Sequence, residues 1–168
     1  MKNTFIISQA ELKDATIIHN LMKAVYEKLE DKTLFFCDDI EYVQRHIEKE
    51  GFAIKVEQDG KLVASLVVRF PGDAEDNLGK DVNIHELQKV AHIESIVVDE
   101  KYRGNGLQDK MIKYAEDRLK QKDYTYIMAT VSPDNKHSLD NFKRNGYEVV
   151  KIKEKYGGMM RAILLKKL

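Results

Sequence analysis

The sequence predicts an α/β fold in which helices cover both faces of a mixed β-sheet. Apolar residues recur with a helical period in some segments and alternate with polar residues, as strands do, in others. The segments follow the order β-α-α-β-β-β-α-β-α-β-β, and one strand-helix-strand unit requires two parallel neighbouring strands. The 168 residues are enough to bury a core, so we expect a single domain over residues 1–168.

The first half of the chain predicts a strand, two helices and a hairpin. Asp38-Asp39, residues that often begin helices, precede the second helix, which ends at Gly51. Asp59-Gly60 lies between two apolar runs and is a strong hairpin signal. The predicted elements are a strand at 4–9, helices at 14–30 and 38–51, and strands at 52–58 and 61–70.

The second half predicts a long loop followed by the parallel unit. Pro71–Gln88 is polar and acidic and is expected to be the loop. A helix between two strands rich in β-formers makes the crossover, and Gly146 ends the last helix. The predicted elements are strands at 90–98, 124–131, 147–153 and 159–166, and helices at 107–122 and 137–145.

The composition limits the partners of the chain. Lys+Arg and Asp+Glu balance at 28 each, which removes the basic surface expected of a nucleic-acid or membrane-surface binder. The longest apolar run, Leu62–Phe70, is too short to span a bilayer. Cys37 is the single cysteine, and no Cys/His cluster has metal-ligand spacing. We therefore expect a cytoplasmic protein that binds no nucleic acid, membrane or metal.

A glycine-rich turn between a strand and a helix predicts a pyrophosphate site. The turn lies in the segment VVDEKYRGNGLQ, where Gly104 and Gly106 can adopt backbone angles closed to other residues. Successive N–H groups and the positive end of the following helix can then point at a phosphate. Asp109 excludes a dinucleotide fingerprint, and no Gly-Lys-Ser/Thr is present for a P-loop. A tight structural connection is the alternative.

A second motif follows the second parallel strand. In SPDNKHSLDNFKRNGYEVV, Asn135 precedes Phe142 by seven residues and Gly146-Tyr147 by eleven and twelve. Together the two motifs resemble the signature regions of the GNAT superfamily of acyl-CoA-dependent N-acetyltransferases, and the element order matches over nearly the whole chain. The resemblance implies a mostly antiparallel sheet in which two parallel strands splay apart, with acetyl-CoA as cosubstrate in the gap.

The resemblance also implies which residues bind acetyl-CoA. Ile96, Val97 and Val98 would run beside the pantetheine arm, and Asn135 would bind the arm from the far side. The pyrophosphate cradle would be formed by Arg103, Gly104, Asn105, Gly106, Leu107 and Gln108. The chain departs from the family at Lys101, where Gln or Arg is usual. It departs again at Phe142 beside the acyl group, where many members place a tyrosine that protonates the departing thiolate.

Acetylation of an amine requires loss of a proton. An acceptor with a pKa near ~10.4 is neutral only about once in 10³ molecules at pH 7, so a base is expected. Glu94 is the candidate base, because an unpaired carboxylate in a covered strand indicates a polar cleft. Strand alternation places His92, Glu94, Ile96 and Val98 on one face unless a bulge intervenes, and His92 would then help through water. A structural ion pair of Glu94 is the alternative.

The acceptor and the acid are left open by the sequence. If the family layout holds, Leu34–Cys37, Tyr26 and the acidic Gly72–Asn77 loop line the acceptor side and favour a cationic or amino-bearing small molecule; packing and solvation are the alternative. Tyr147 and Tyr156 are weaker candidates for the acid that protonates the thiolate; packing residues are the alternative. The leading function is direct acetyl transfer to a small primary amine by a monomer or homodimer. The alternatives are a non-catalytic acyl-CoA-binding regulatory module and a protein N-terminal or lysine acetyltransferase.

Overall fold

The computed structural model describes residues 4–155 and 157–168. Its strands are β1 (Ile6–Gln9), β2 (Gly51–Gln58), β3 (Lys61–Arg69), β4 (Val90–Val98), β5 (Tyr126–Val131), β6 (Glu148–Lys155) and β7 (Met159–Lys167). Its α-helices are α1 (Ala15–Lys28), α2 (Ile40–Glu48), α3 (Leu107–Gln121) and α4 (Lys136–Arg144). The predicted element order is confirmed, and the boundaries differ from those predicted by a few residues.

The strands form one sheet with the order β1-β2-β3-β4-β5-β7-β6. β4 and β5 are parallel, and the other neighbouring pairs are antiparallel. The hairpin between β2 and β3 turns at Asp59 and Gly60, both with positive φ (51° and 77°), as the turn predicted from Asp-Gly requires. The predicted mixed, mostly antiparallel sheet with one parallel pair is therefore confirmed.

The helices lie on both faces of the sheet, because side chains of β2 and β3 alternate between two cores. Ala53 and Val67 pack with Ile18 and Met22 of α1 on one face. On the other face, a larger core joins alternate residues of β2, β3 and β4 to α3: Phe52, Ile54, Leu66, Val68, Ala91, Ile93, Met111 and Ile112. The amphipathic stripe of each helix is thus buried against the strands that position the site.

The segment between β3 and β4 is more ordered than the loop predicted for residues 71–88. It contains two short 3₁₀ turns, Leu78–Val82 and Leu87–Lys89. The buried side chain of Asn77 ties it together by donating to the carbonyls of Gly72 and Leu87 (2.8 and 3.2 Å) and accepting from Gly79 N–H (2.8 Å). These bonds hold the preceding residue, Asp76, beside Arg69, the last residue of β3.

A β-bulge at Glu94 changes the faces on which the residues of β4 lie. Ile93 pairs with Val68 and Ser95 with Val67, so Glu94 is an extra residue without a partner on β3. Ile96 and Val98 therefore pack on the α3 face, whereas Glu94 stays beside His92. The expectation that these four residues share one face is corrected by this bulge.

The parallel pairing of β4 and β5 ends at the same point. It covers Val90–Ile93 of β4 and Tyr126–Ala129 of β5 and goes no further. The edge of β4 that faces β5 is consequently unpaired from Glu94 to Val98 in the described structure, and a V-shaped gap opens between the two strands. The bulge and the gap together place a carboxylate at the apex of an open cleft.

Candidate functional site

A cavity of about 870 Å³ occupies the gap between β4 and β5. It runs from the start of α3 past the open edge of β4 to the segment between α1 and α2. Of the residues predicted to bind acetyl-CoA, those that line it are Ile96, Val97, Val98, Arg103, Gly104, Gly106, Leu107, Gln108, Asn135 and Phe142. Glu94 and His92 line its other end. The structure thus brings the sequence-predicted residues together around one space.

The turn before α3 is shaped as an anion cradle. Gly104 and Gly106 have φ of 83° and 68°, and a Cβ added at either would meet no atom within 4 Å. Within the described chain, no acceptor engages the N–H groups of residues 104–109, and Gly106 begins α3 without a side-chain cap. Free N–H groups at the positive end of a 15-residue helix fit a pyrophosphate.

The side chain of Asn105 points away from the cavity and supports the turn. Its side chain donates to the carbonyl oxygen of Tyr102 (2.8 Å), and it is not among the residues that line the cavity. Asn105 therefore stabilises the turn from outside, and only its backbone N–H belongs to the cradle.

The far side of the cavity is built by the start of α4. The side chain of Asn135 accepts from Ser138 N–H (3.2 Å) and caps the helix. Asn141, for which no role was predicted, is buried, lines the cavity and donates to Gln108 Oε1 (2.6 Å). Its oxygen accepts from Arg144. Asn141 therefore holds α4 against the first turn of α3; a buried amide on an apolar helix face was the signal for it.

Phe142 lines the cavity as a buried ring. It packs edge-to-face on Tyr147, with 5.1 Å between ring centroids. The Tyr147 hydroxyl is buried, has no hydrogen-bond partner in the described structure and does not line the cavity, and burial raises its pKa. Tyr147 is therefore badly placed as a replacement acid, and Tyr156 lies outside the described residues.

Three donors surround the carboxylate of Glu94. His92 Nδ1 lies 3.4 Å and Arg69 Nη1 3.7 Å from Oε1, and the Tyr42 hydroxyl donates a hydrogen bond. Burial acts against ionisation, but the bonds from His92 and Tyr42 and the charge of Arg69 outweigh it and lower the pKa of Glu94. Burial also raises the pKa of Tyr42, so its hydroxyl stays protonated. Glu94 is thus held as a carboxylate and is a weak base.

The hydrogen bonds of His92 define its tautomer. Leu78 N–H donates to Nε2 (3.0 Å), so Nε2 carries no hydrogen, and the hydrogen of the neutral ring lies on Nδ1 and points to Glu94. The ring of His92 is buried. His92 therefore contacts Glu94 through Nδ1 (3.4 Å), and its help in proton transfer through water stays a prediction.

Arg69 connects the loop after β3 to this group. Its Nη1 and Nη2 donate to Asp76 in a bidentate pair (2.7 and 2.8 Å), and it pairs with His92 in the sheet register. Asp76 lines the cavity as part of the predicted acidic loop, but Arg69 neutralises its charge. The negative charge at this end of the cavity therefore comes from Glu94 and from one further residue.

That residue is Asp38, predicted from the sequence only as part of a helix start. The neighbouring Asp39 caps α2 by accepting from Tyr42 N–H (2.8 Å). Asp38 instead lines the cavity, and its carboxylate has no hydrogen-bond or ion-pair partner in residues 4–155 and 157–168. Burial and the charge of Glu94 raise the pKa of Asp38 to about 7.

The end of the cavity beside Glu94 and Asp38 also has an apolar wall. Val25, Leu29 and the linker residues Leu34–Phe36 line it, as predicted for the linker. Tyr26 and Cys37 were expected there too, but they line a smaller surface pocket beside His19.

In the part of the chain that the structure describes, no group of three His, Cys, Asp or Glu side chains is arranged to hold a metal ion. Nor is any helix there long and apolar enough to cross a bilayer.

Comparison with known proteins agrees with this geometry. The model of the Acetyltransferase (GNAT) family matches residues 17–147. An S-alkylcysteine N-acetyltransferase of Bacillus subtilis (strain 168) is 25% identical over 95% of this chain and 89% of its own length.

Two solved structures show the same fold at low sequence identity. The ribosomal-protein-S18-alanine N-acetyltransferase from Escherichia coli has a TM-score of 0.73 and 15% identity over 98% of this chain and 94% of that one. A phosphinothricin acetyltransferase from Sinorhizobium meliloti, in complex with acetyl-CoA, has a TM-score of 0.74 and 11% identity over 98% and 89%. With its family match, splayed strands and glycine cradle, the chain belongs to the GNAT family of acetyltransferases and is an acyltransferase.

Proposed function

We propose that the protein transfers an acetyl group from acetyl-CoA directly to the primary amine of a small molecule in a ternary complex. One observation supports this most: a single cavity joins a glycine cradle at the start of α3 to two carboxylates, Glu94 and Asp38, at the apex of the splayed strands. If acetyl-CoA binds along β4, its acetyl group would lie beside these two carboxylates, which attract an amine.

Different residues would bind acetyl-CoA and the amine at the two ends of the cavity. N–H groups of residues 104–109 would hold the pyrophosphate, and the open edge of β4 from Ile96 to Val98 would bind the pantetheine amides. Bound acetyl-CoA supplies a thioester whose carbonyl carbon accepts the amine nitrogen. Glu94, fixed by its three donors, attracts the ammonium group of the acceptor and orients it toward that carbon. The half-buried Cys37 and the absence of a second cysteine support a cytoplasmic site of action.

The walls of the acceptor end support an amino-acid-like amine with an apolar substituent. Phe35 and Phe36 offer an apolar surface, and the positive charge of Arg161 at the same cavity can attract a carboxylate, whereas Lys155 there is ion-paired with Asp81 (2.9 Å). This combination of ammonium, carboxylate and apolar group occurs in an S-alkylcysteine, the substrate class in the name of the Bacillus subtilis relative. We propose this class ahead of a protein acceptor.

A panel of amines tests the proposed function. Release of CoA thiol is measured with acetyl-CoA and S-methyl- and S-benzyl-L-cysteine, spermidine, an aminoglycoside, an Ala-initiated peptide and a lysine peptide. We expect turnover with the S-alkylcysteines, and slower turnover with their methyl esters, which lack the carboxylate. Turnover with the peptides alone would assign a protein acceptor, and no turnover with any amine would contradict the proposal.

Phe142→Tyr tests whether the reaction is slowed by the lack of a tyrosine that protonates the departing thiolate. The substitution adds one hydroxyl at a buried ring that lines the cavity. A thiol with a pKa near ~8.5 leaves reasonably well unaided, so we expect kcat for S-benzyl-L-cysteine to be unchanged or to rise by up to about tenfold. Steady-state kinetics measures this, with Phe52→Tyr in the core as a control for the added hydroxyl. A large loss of kcat at unchanged folding would show that Phe142 itself is required.

A further inference from the structure

We infer that Asp38, not Glu94, is the catalytic residue that takes the proton from the acceptor ammonium. This rests on the proposed amine acetylation and names the proton acceptor at the same site. An N–H bond of the ammonium breaks as an O–H bond forms on Asp38. The freed nitrogen lone pair then forms the N–C bond while the C–S bond breaks, and the second N–H proton leaves with the sulfur.

The two carboxylates of the cavity differ in how they are bound. Glu94 faces His92 Nδ1 at 3.4 Å and Arg69 Nη1 at 3.7 Å and interacts with the Tyr42 hydroxyl, so donors and a positive charge compensate its carboxylate. The carboxylate of Asp38 has no hydrogen-bond or ion-pair partner in the described chain, and Asp38 lines the cavity as well as the smaller pocket beside His19. A group whose acceptor sites are free can receive an ammonium proton without breaking existing bonds.

Asp38 is nevertheless held in place through its backbone. The ring nitrogen Nε2 of His19 on α1 lies 3.0 Å from its carbonyl oxygen, and the next residue, Asp39, begins α2. The segment is therefore fixed at both ends while the carboxylate stays free. A proton acceptor must be positioned in this way to act at a defined atom.

The charges around Asp38 suit it to this role at neutral pH. The charged and titratable groups around it are Asp39 beside it, Glu94 on β4, Arg69 on β3, Tyr42 and Arg45 on α2, and His19, Lys23 and Glu27 on α1. Burial and the carboxylates of Glu94 and Asp39 raise the pKa of Asp38 to about 7, against the opposing effect of Arg45 and Arg69. A base with a pKa near the working pH transfers protons most effectively.

Asp38→Asn tests the inference through the pH profile of kcat/KM, with the amine that wild type acetylates fastest. Wild type should lose activity as pH falls through about 7, because Asp38 then carries its proton. In Asp38→Asn the amine must lose its proton to solvent. Its kcat/KM should therefore be about 10²-fold lower at pH 7 and climb steadily to the pKa of the amine, so that the deficit shrinks. The Kd of acetyl-CoA should not change.

Asp39→Asn is the matched control. It removes the same charge one residue away, and Asn caps helices as well as Asp does. The plateau of kcat/KM should stay within about threefold of wild type, and the acid limb should move to lower pH, because the charge of Asp39 helps to raise the pKa of Asp38.

Two results would overturn the inference, and they are distinguishable. An Asp38→Asn protein that binds acetyl-CoA and keeps the acid limb and rate of wild type would remove Asp38 from catalysis while leaving amine acetylation intact. A wild-type protein inactive with every amine would overturn the acetylation itself, and with it the role of Asp38.

Discussion

Gly106→Val should raise the Kd of acetyl-CoA by about 10- to 10³-fold with the fold intact. The added branched side chain would occupy space that is open in front of the first turn of α3, where a Cβ meets no atom within 4 Å. A phosphate there could not reach the N–H groups, and each lost charge-assisted hydrogen bond costs about 1.5–3 kcal/mol, or roughly 10- to 10²-fold in Kd. Isothermal titration calorimetry measures the change.

The backbone strain of this substitution needs its own control, and Gly60→Val provides it. Gly60 also has a positive φ (77°) with open space around it, but it lies in the β2–β3 hairpin and does not line the cavity. Both variants should lose a similar amount of thermal stability, since both force a branched residue into the left-handed region. Only Gly106→Val should lose affinity for acetyl-CoA. Equal affinity in both variants would place the pyrophosphate elsewhere.

The sequence predicts the cradle well because its signals are local. Gly104 and Gly106 mark a turn that few other residues can form, and the helix behind them follows from its apolar period. The match between Asp59-Gly60 and the observed hairpin has the same origin. Features of this kind depend on neighbours in the chain, so they can be recognised without knowledge of the tertiary structure.

The end of the cavity beside Glu94 and Asp38 is harder to predict, because it depends on strand register and on contacts between residues far apart in the sequence. The bulge at Glu94 shifts the alternation of β4 by one residue, and no local signal in the strand announces it. Arg69 reaches Glu94 only because β3 pairs with β4 in that register. Likewise, two adjacent aspartates looked equivalent in sequence. In the structure Asp39 caps a helix and Asp38 faces a cavity.

Glu94→Gln should separate attraction of the ammonium from transfer of its proton. The amide keeps the shape of the side chain and one acceptor oxygen, but it removes the negative charge. Charges about 6 Å apart interact by roughly 2–3 kcal/mol at an effective dielectric constant near 20, so kcat/KM should fall by about 10- to 10²-fold. Glu50→Gln, whose exposed carboxylate contacts Arg45 at 3.6 Å outside the cavity, is the control and should retain wild-type activity.

The pH profile of Glu94→Gln decides which carboxylate is the base. The charge of Glu94 raises the pKa of Asp38, so its removal should lower that pKa and move the acid limb of kcat/KM below its wild-type position. The limb should therefore persist, displaced to lower pH, whereas in Asp38→Asn the rise near pH 7 should give way to one that continues to the pKa of the amine. If instead Glu94→Gln abolishes the limb and Asp38→Asn keeps it, the proton passes to Glu94 despite its lowered pKa, and the free carboxylate of Asp38 serves only to attract the acceptor.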